Sequence, residues 1–198
     1  NITLINNRGG INTSTGILNA ESNGTGGMIT LNAPGNIITN DINTNGTLNN
    51  GGTIRLTSNS EISTGTLSAV GNENGGNILV DAATNIITNE INTDGTLNNG
   101  GMIRLTSNSE ITTGTLSAIG NQNGGNIRLD APGTILTNTI NTNGTVNNGG
   151  MIHLTSNSEI STGTLSAVGN QNGGTITLTA TDNISTDNIS TTSSNGTG

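Results

Sequence analysis

The chain has 198 residues, of which 28% are hydrophobic and none is Phe, Trp or Tyr; it has no cysteine and a formal net charge of −8. A conventional globular core of this length would bury aromatic side chains, so a different way of burying surface is required. The absence of Cys excludes disulfides and thiolate metal sites. An acidic chain with four Arg and no Lys lacks the basic face that a nucleic-acid partner needs. No stretch reads as a signal peptide or approaches a membrane span, so membrane insertion is not expected.

Ile2 and Leu4 open the chain with an alternating apolar pair, and this pair keeps returning. From residue 26 onward, Gly-Gly dipeptides fall at 26, 51, 75, 100, 124, 149 and 173, at intervals that alternate between 25 and 24. Each leads into the same alternation: Ile29/Leu31, Ile54/Leu56, Ile78/Val80, Ile103/Leu105, Ile127/Leu129, Ile152/Leu154 and Ile176/Leu178. The true period is therefore 49, a double unit beginning near 51, 100 and 149, with half-repeats also at 26, 75, 124 and 173. Residues 1–198 read as a single repeat array.

Within the unit from Gly51, the inward candidates are Ile54, Leu56 and Ser58, then Ile62 and Thr64, then Leu67, Ala69 and Gly71. Their spacing of two within each group is the strand period, and no 3.6-residue stripe appears. Ile, Val and Thr at these positions favour strands. Ser58-Asn59-Ser60, Gly65 and the run from Gly71 to Gly76 are turn compositions. One unit is thus three short strands and three turns, too small to bury its own apolar face. Stacking solves this. Successive units paired in parallel, about 4.8 Å apart, form an all-β parallel β-helix, a solenoid of about eight coils roughly 38 Å long. The low hydrophobic content suggests disorder, but unfolded tracts do not hold Ile and Leu at fixed offsets, and a thin rod needs little apolar volume.

Thr39, Thr64, Thr88, Thr113, Thr137, Thr162 and Thr186 all stand at one fixed offset from the first Gly of their pair. Parity turns them inward, where a hydroxyl bonding along its own ladder would be satisfied. Asn recurs at a corner, as Asn49-Asn50, Asn98-Asn99 and Asn147-Asn148, and as Asn74, Asn123 and Asn172 in the other half. Stacked amides there are expected to bond the next coil.

Two stretches display the repeat best: GGMIRLTSNSEITTGTLSAIG from Gly100 to Gly120, and GGNIRLDAPGTILTNTINTNG from Gly124 to Gly144. Over essentially the whole chain this pattern resembles the repeats of the filamentous haemagglutinin family, exoproteins of bacterial two-partner secretion. The resemblance implies a right-handed, three-faced β-helix, export to the cell surface, and a stalk or adhesin role. It also implies an outer-membrane transporter as partner, together with a host or cell-surface ligand it does not identify. The family's amino-terminal secretion domain has no counterpart in this sequence. The opening inside a coil and the Ser/Thr/Gly/Asn-rich close suggest a piece of a longer array, or a filament subunit that self-associates end to end.

Few residues suggest chemistry. Glu61, Glu110 and Glu159 recur with the double unit, about 9.6 Å apart, near the upper range of an inverting glycosidase pair. Their environments are identical, whereas an acid and a base need different ones. Arg55, Arg104 and His153 share one outward strand position, with Arg128 at the same position in an intervening coil and Asp130 two residues beyond it. This reads as a solvated charge ladder; a lone His gives no zinc site. Asp41 and Glu90 hold equivalent outward positions, with Thr66 between them, but too few oxygens converge for calcium. Asn45-Gly46-Thr47 and Asn143-Gly144-Thr145 are glycosylation-type sequons, and Asp94 breaks that series. The outward row reads Asp41, Thr66, Glu90, Thr115, Thr139, Thr164, Asp187, too mixed for the regular Thr lattice of an ice-binding solenoid.

The expectation is a non-enzymatic structural rod of a secreted cell-surface adhesin or extracellular filament. No catalytic, cofactor-binding or metal-binding residues are expected in it. The alternatives are an ice- or surface-binding solenoid and, behind it, a carbohydrate-active β-helix enzyme.

Overall fold

The computed structural model describes residues 1–196 and contains no helix among them. Its strands form three parallel sheets of eight strands, each sheet taking one strand from every coil. The first sheet holds the longest strands, such as Met28–Ala33, Thr53–Ser58 and Asn77–Ala82; the second and third hold strands of two or three residues. The expected register is observed. Ile54 pairs with Ile29 on one side and Ile78 on the other, and Ile78 pairs in turn with Ile103. These four side chains are fully buried, as are the Ile62 column of the second sheet from Ile37 to Ile160 and the Leu67 column of the third from Ile42 to Leu165. The core is therefore a set of parallel aliphatic columns running along the rod.

The alternation in repeat length is confined to one corner. The steps from Ile54 to Ile62 and from Ile62 to Leu67 recur unchanged in the following coils. The return to the first sheet does not. It is one residue longer from Ile42 to Ile54 and from Ile91 to Ile103 than from Leu67 to Ile78 and from Leu116 to Ile127. The longer third corners carry the exposed Leu48, Leu97 and Val146. Their extra residue leaves a carbonyl without a backbone partner in the next coil. Asn72 Nδ2 bonds the Leu48 oxygen, and Asn121 Nδ2 bonds that of Leu97, each at 3.2 Å. The first coil also departs from the period, because the step from Ile2 to its partner Ile29 is longer than the step from Leu18 to its partner Ile42.

Glycine fills the corners for reasons of space. No glycine among the described residues has a positive φ. Instead, a Cβ on Gly75 or Gly124 would fall onto the carbonyl oxygen of Thr93 or Thr142. Gly46, Gly71, Gly95, Gly120, Gly144 and Gly169 stack directly, each bridged to the next.

The Thr39-to-Thr162 column points inward, with exposures of 3–8%, but its hydrogen bonds differ from expectation. Thr39, Thr64, Thr113 and Thr162 donate to the carbonyl of the following residue, at 2.9–3.2 Å, rather than along the ladder. The chain turns immediately after this Thr, which brings the next carbonyl within reach. Only Thr137 among these reaches another coil, at Gly114 O. Asn behaves as expected. Asn74, Asn99, Asn123, Asn148 and Asn172 each donate Nδ2 to Oδ1 of the Asn one coil below, starting from Asn50, at 2.7–3.0 Å.

Candidate functional site

The outer side of the first sheet carries most of the basic residues. Register places Thr30, Arg55, Leu79, Arg104, Arg128, His153 and Thr177 in one column. Every side chain there leaves the sheet because its neighbours in the strand, such as Ile103 and Leu105, take the inward positions. Arg128 Nε and Nη2 grip both Asp130 oxygens, at 2.6 and 3.0 Å, from the same strand. The hydrogen bond, and then the charge, of Asp130 raise the Arg128 pKa above its already high value. The pair is half-exposed on the Arg side, so it adds little stability and chiefly neutralises that coil. His153 Nε2 lies 3.1 Å from Thr155 Oγ1.

Arg55 and Arg104 stand on either side of Leu79. With Leu79, Asp81, Thr57 and Thr106 they line a small surface depression. No ion pair forms there among the described residues. The sequence places these residues in adjacent columns, and the structure brings them to one surface.

Glu61, Glu110 and Glu159 occupy one column just beyond the first corner. The amide of Ile37 bonds Glu61 O in the coil above, and Ile86 and Ile135 bond Glu110 O and Glu159 O likewise. Asn85 and Thr134 separate them, so no two of these carboxylates lie in adjacent coils. The outward row after the Thr column is Asp41, Thr66, Glu90, Thr115, Thr139, Thr164 and Asn188. The Leu165 amide bonds Asn188 O, so Asn188 replaces the expected Asp187 in that row. The row remains chemically mixed. Asp41 is used structurally: its Oδ1 accepts the Thr66 amide at 2.8 Å. No cluster of three His, Asp or Glu side chains able to hold a metal occurs among the described residues.

A second set of polar residues carries a role that residue type alone does not reveal. Asn45 Oδ1 accepts both the Ser68 hydroxyl and the Val70 amide, at 2.8 and 2.7 Å. Asp94 does the same for Ser117 and Ile119, and Asn143 for Ser166 and Val168. The signal in the sequence is the strict alternation of Asn or Asp with Val or Ile at one position: Asn45, Val70, Asp94, Ile119, Asn143, Val168. Two of the sequon asparagines, Asn45 and Asn143, are therefore folded against the next coil.

Comparison with family models, with curated proteins and with solved structures gives no match.

Proposed function

We propose that the chain is a non-enzymatic structural rod, a segment of a secreted bacterial cell-surface adhesin or extracellular filament. The observation that carries this reading is the unbroken continuation of the same columns through successive coils, from the Ile29–Ile152 core to the Asn50–Asn172 amide ladder. Such a stack converts chain length into reach, because each coil adds about 4.8 Å along the axis. The backbone hydrogen bonds run between coils, so stiffness comes from the same contacts as stability. The resemblance to filamentous haemagglutinin repeats supports the surface role, with an outer-membrane transporter and a host or cell-surface ligand as partners. End-to-end contact between rods is a further mode of assembly that exposed parallel strand edges favour.

Negative-stain electron microscopy tests the rod, and surface labelling tests its location. Purified protein should appear as thin rods roughly 38 Å long for eight coils, and an antibody to the repeat should label intact, unpermeabilised cells. Labelling that appears only after lysis would overturn the surface role.

A further inference from the structure

Arg55, Arg104 and His153 recur with the double unit on the outside of the first sheet, and Glu61, Glu110 and Glu159 recur with it at the start of the second. Equal periods mean equal rise: two coils, about 9.6 Å, in both rows. Each basic residue shares its coil with the acidic residue six positions later, across the first corner. Arg55 and Arg104 are exposed, as is Glu110, while His153, Glu61 and Glu159 are half-buried. Even so, none of the three pairs closes within its own coil; among the described residues the ion pair is Arg128–Asp130. The intervening coils are quieter: Leu79 shares its coil with Asn85, and Arg128, already neutralised, shares its coil with Thr134. Asp81 lines the depression between Arg55 and Arg104 and tempers that row without pairing to either. The surface around the first corner is thus a stripe that carries the charges of Arg55 and Arg104, with the formally neutral His153 as its third member, beside a negative stripe in phase with it.

We propose that this surface binds a second copy of the same chain as a parallel, side-by-side dimer. The direction follows from symmetry. A two-fold axis lying between the rods and along them exchanges left and right but preserves height. Arg55 then meets Glu61 of the second copy, Arg104 meets its Glu110, and His153 meets its Glu159, with the reciprocal contacts made at the same time. A two-fold axis perpendicular to the rods reverses height but keeps left and right, setting Arg against Arg and Glu against Glu, which is strongly disfavoured. The interface is isologous and closes on itself.

The contact is weak at this length. Eight coils offer a strip about 38 Å by 10 Å, on the order of 400 Å² per copy, half the usual area of a stable interface. Exposed ion pairs each contribute little, and a net charge of −8 on each copy opposes approach. Strength comes from repetition, since every further pair of coils that keeps the two charges adds one reciprocal contact. The inference requires the stacked rod and not its location on a cell surface.

Sedimentation equilibrium of the full chain tests it, in about 20 mM and about 500 mM salt, where screening differs severalfold in range. The mass should rise toward two chains with concentration in low salt and fall back to one in high salt. R55E/R104E carries two acidic stripes, and E61R/E110R/E159R is basic in the second stripe too. Each should stay monomeric alone, and an equal mixture of the two should recover the dimer. Asn59, exposed at the first corner near the proposed axis, tests direction: N59C should form a disulfide-linked dimer on mild oxidation in low salt. Wild-type chains that remain monomeric in low salt, association unchanged by the reversals, a mixture that fails to recover it, or dimers without N59C cross-linking would each overturn the parallel dimer. If a multiple reversal loses its β-sheet circular dichroism, R104Q and E110Q replace it, and each should weaken the low-salt dimer.

Discussion

The Oδ1 atom of Asn45 accepts the Ser68 hydroxyl of the next coil at 2.8 Å, and the Val70 amide at 2.7 Å. This contact ties coils together in twos. Asp94 with Ser117 ties the fourth coil to the fifth, and Asn143 with Ser166 ties the sixth to the seventh. The same junctions carry further bonds: Ser107 Oγ donates to Thr84 O, and Asn121 Nδ2 to Leu97 O. Between the third and fourth coils the side-chain bonds come from Asn99 to Asn74 alone among the described residues.

Removing the acceptor should be costly, while changing its charge should not. Asn45→Ala leaves the Ser68 hydroxyl and the Val70 amide unpaired at a half-buried junction, for a loss of about 1–3 kcal/mol. Asn45→Asp should be nearly neutral at pH 7, because Asp94 already makes the same two bonds. Urea denaturation of both variants checks this; equal losses would mean that the amide nitrogen matters more than Oδ1.

The uneven junctions should show in local opening. The Thr64 and Ala69 amides donate across the junction of the third and fourth coils, to Ile87 O and Asn92 O. Those of Thr88 and Thr93 donate across the next junction, to Thr112 O and Ser117 O. Hydrogen exchange should be faster for the first two, because sub-global opening begins where fewest bonds hold. Uniform protection along the rod would refute a two-coil cooperative unit.

Glycine substitutions should divide sharply. A Cβ on Gly75 would strike the backbone oxygen of Thr93, whereas one on Gly16 would meet nothing within 4 Å. Gly75→Ala should therefore prevent stacking of the fourth coil or cost several kcal/mol, about as much as the larger core lesions. Gly16→Ala should be neutral or stabilising by about 0.4–1 kcal/mol through the unfolded chain. Soluble yield and thermal melting separate the two.

One core column alternates in size: Thr44, Ala69, Thr93, Ala118, Thr142 and Ala167 are all fully buried. Ala69→Thr would stack three Thr side chains in succession, an overpacking worth about 1–3 kcal/mol. Thr93→Val keeps the shape and removes only the long 3.4 Å bond to Ser117 O, so its effect should stay below about 1 kcal/mol. Chemical denaturation midpoints check both.

The columns of Ile29, Ile54 and Ile78 are legible in the sequence because a one-residue slip in a strand would turn each of them to solvent. The Asn ladder is legible for a similar reason, since one residue type recurs at one offset from Gly-Gly. What a hydroxyl does once inside is not. Thr64 bonds Gly65 O of its own chain because the backbone turns there, and periodicity says nothing about turn geometry. The Asn45–Ser68 contact also escapes a residue-by-residue reading. Its partners are 23 residues apart and become neighbours only when the coils stack. The charged rows are readable as positions, but whether Arg104 closes on Glu110 or Arg128 on Asp130 depends on side-chain reach across a corner or along a strand.

The one-residue difference between successive third corners sets the increment by which this protein can grow or shrink. Losing a single long-corner coil would seat a Ser68-type strand above a Val70-type corner, leaving the hydroxyl without its acceptor and two short corners in succession, and losing a single short-corner coil would set two long corners in succession. Gaining or losing a matched pair disturbs no contact. Gene duplications and deletions that survive selection should therefore appear as whole multiples of the double unit, and natural variants should differ in reach by steps of about 9.6 Å.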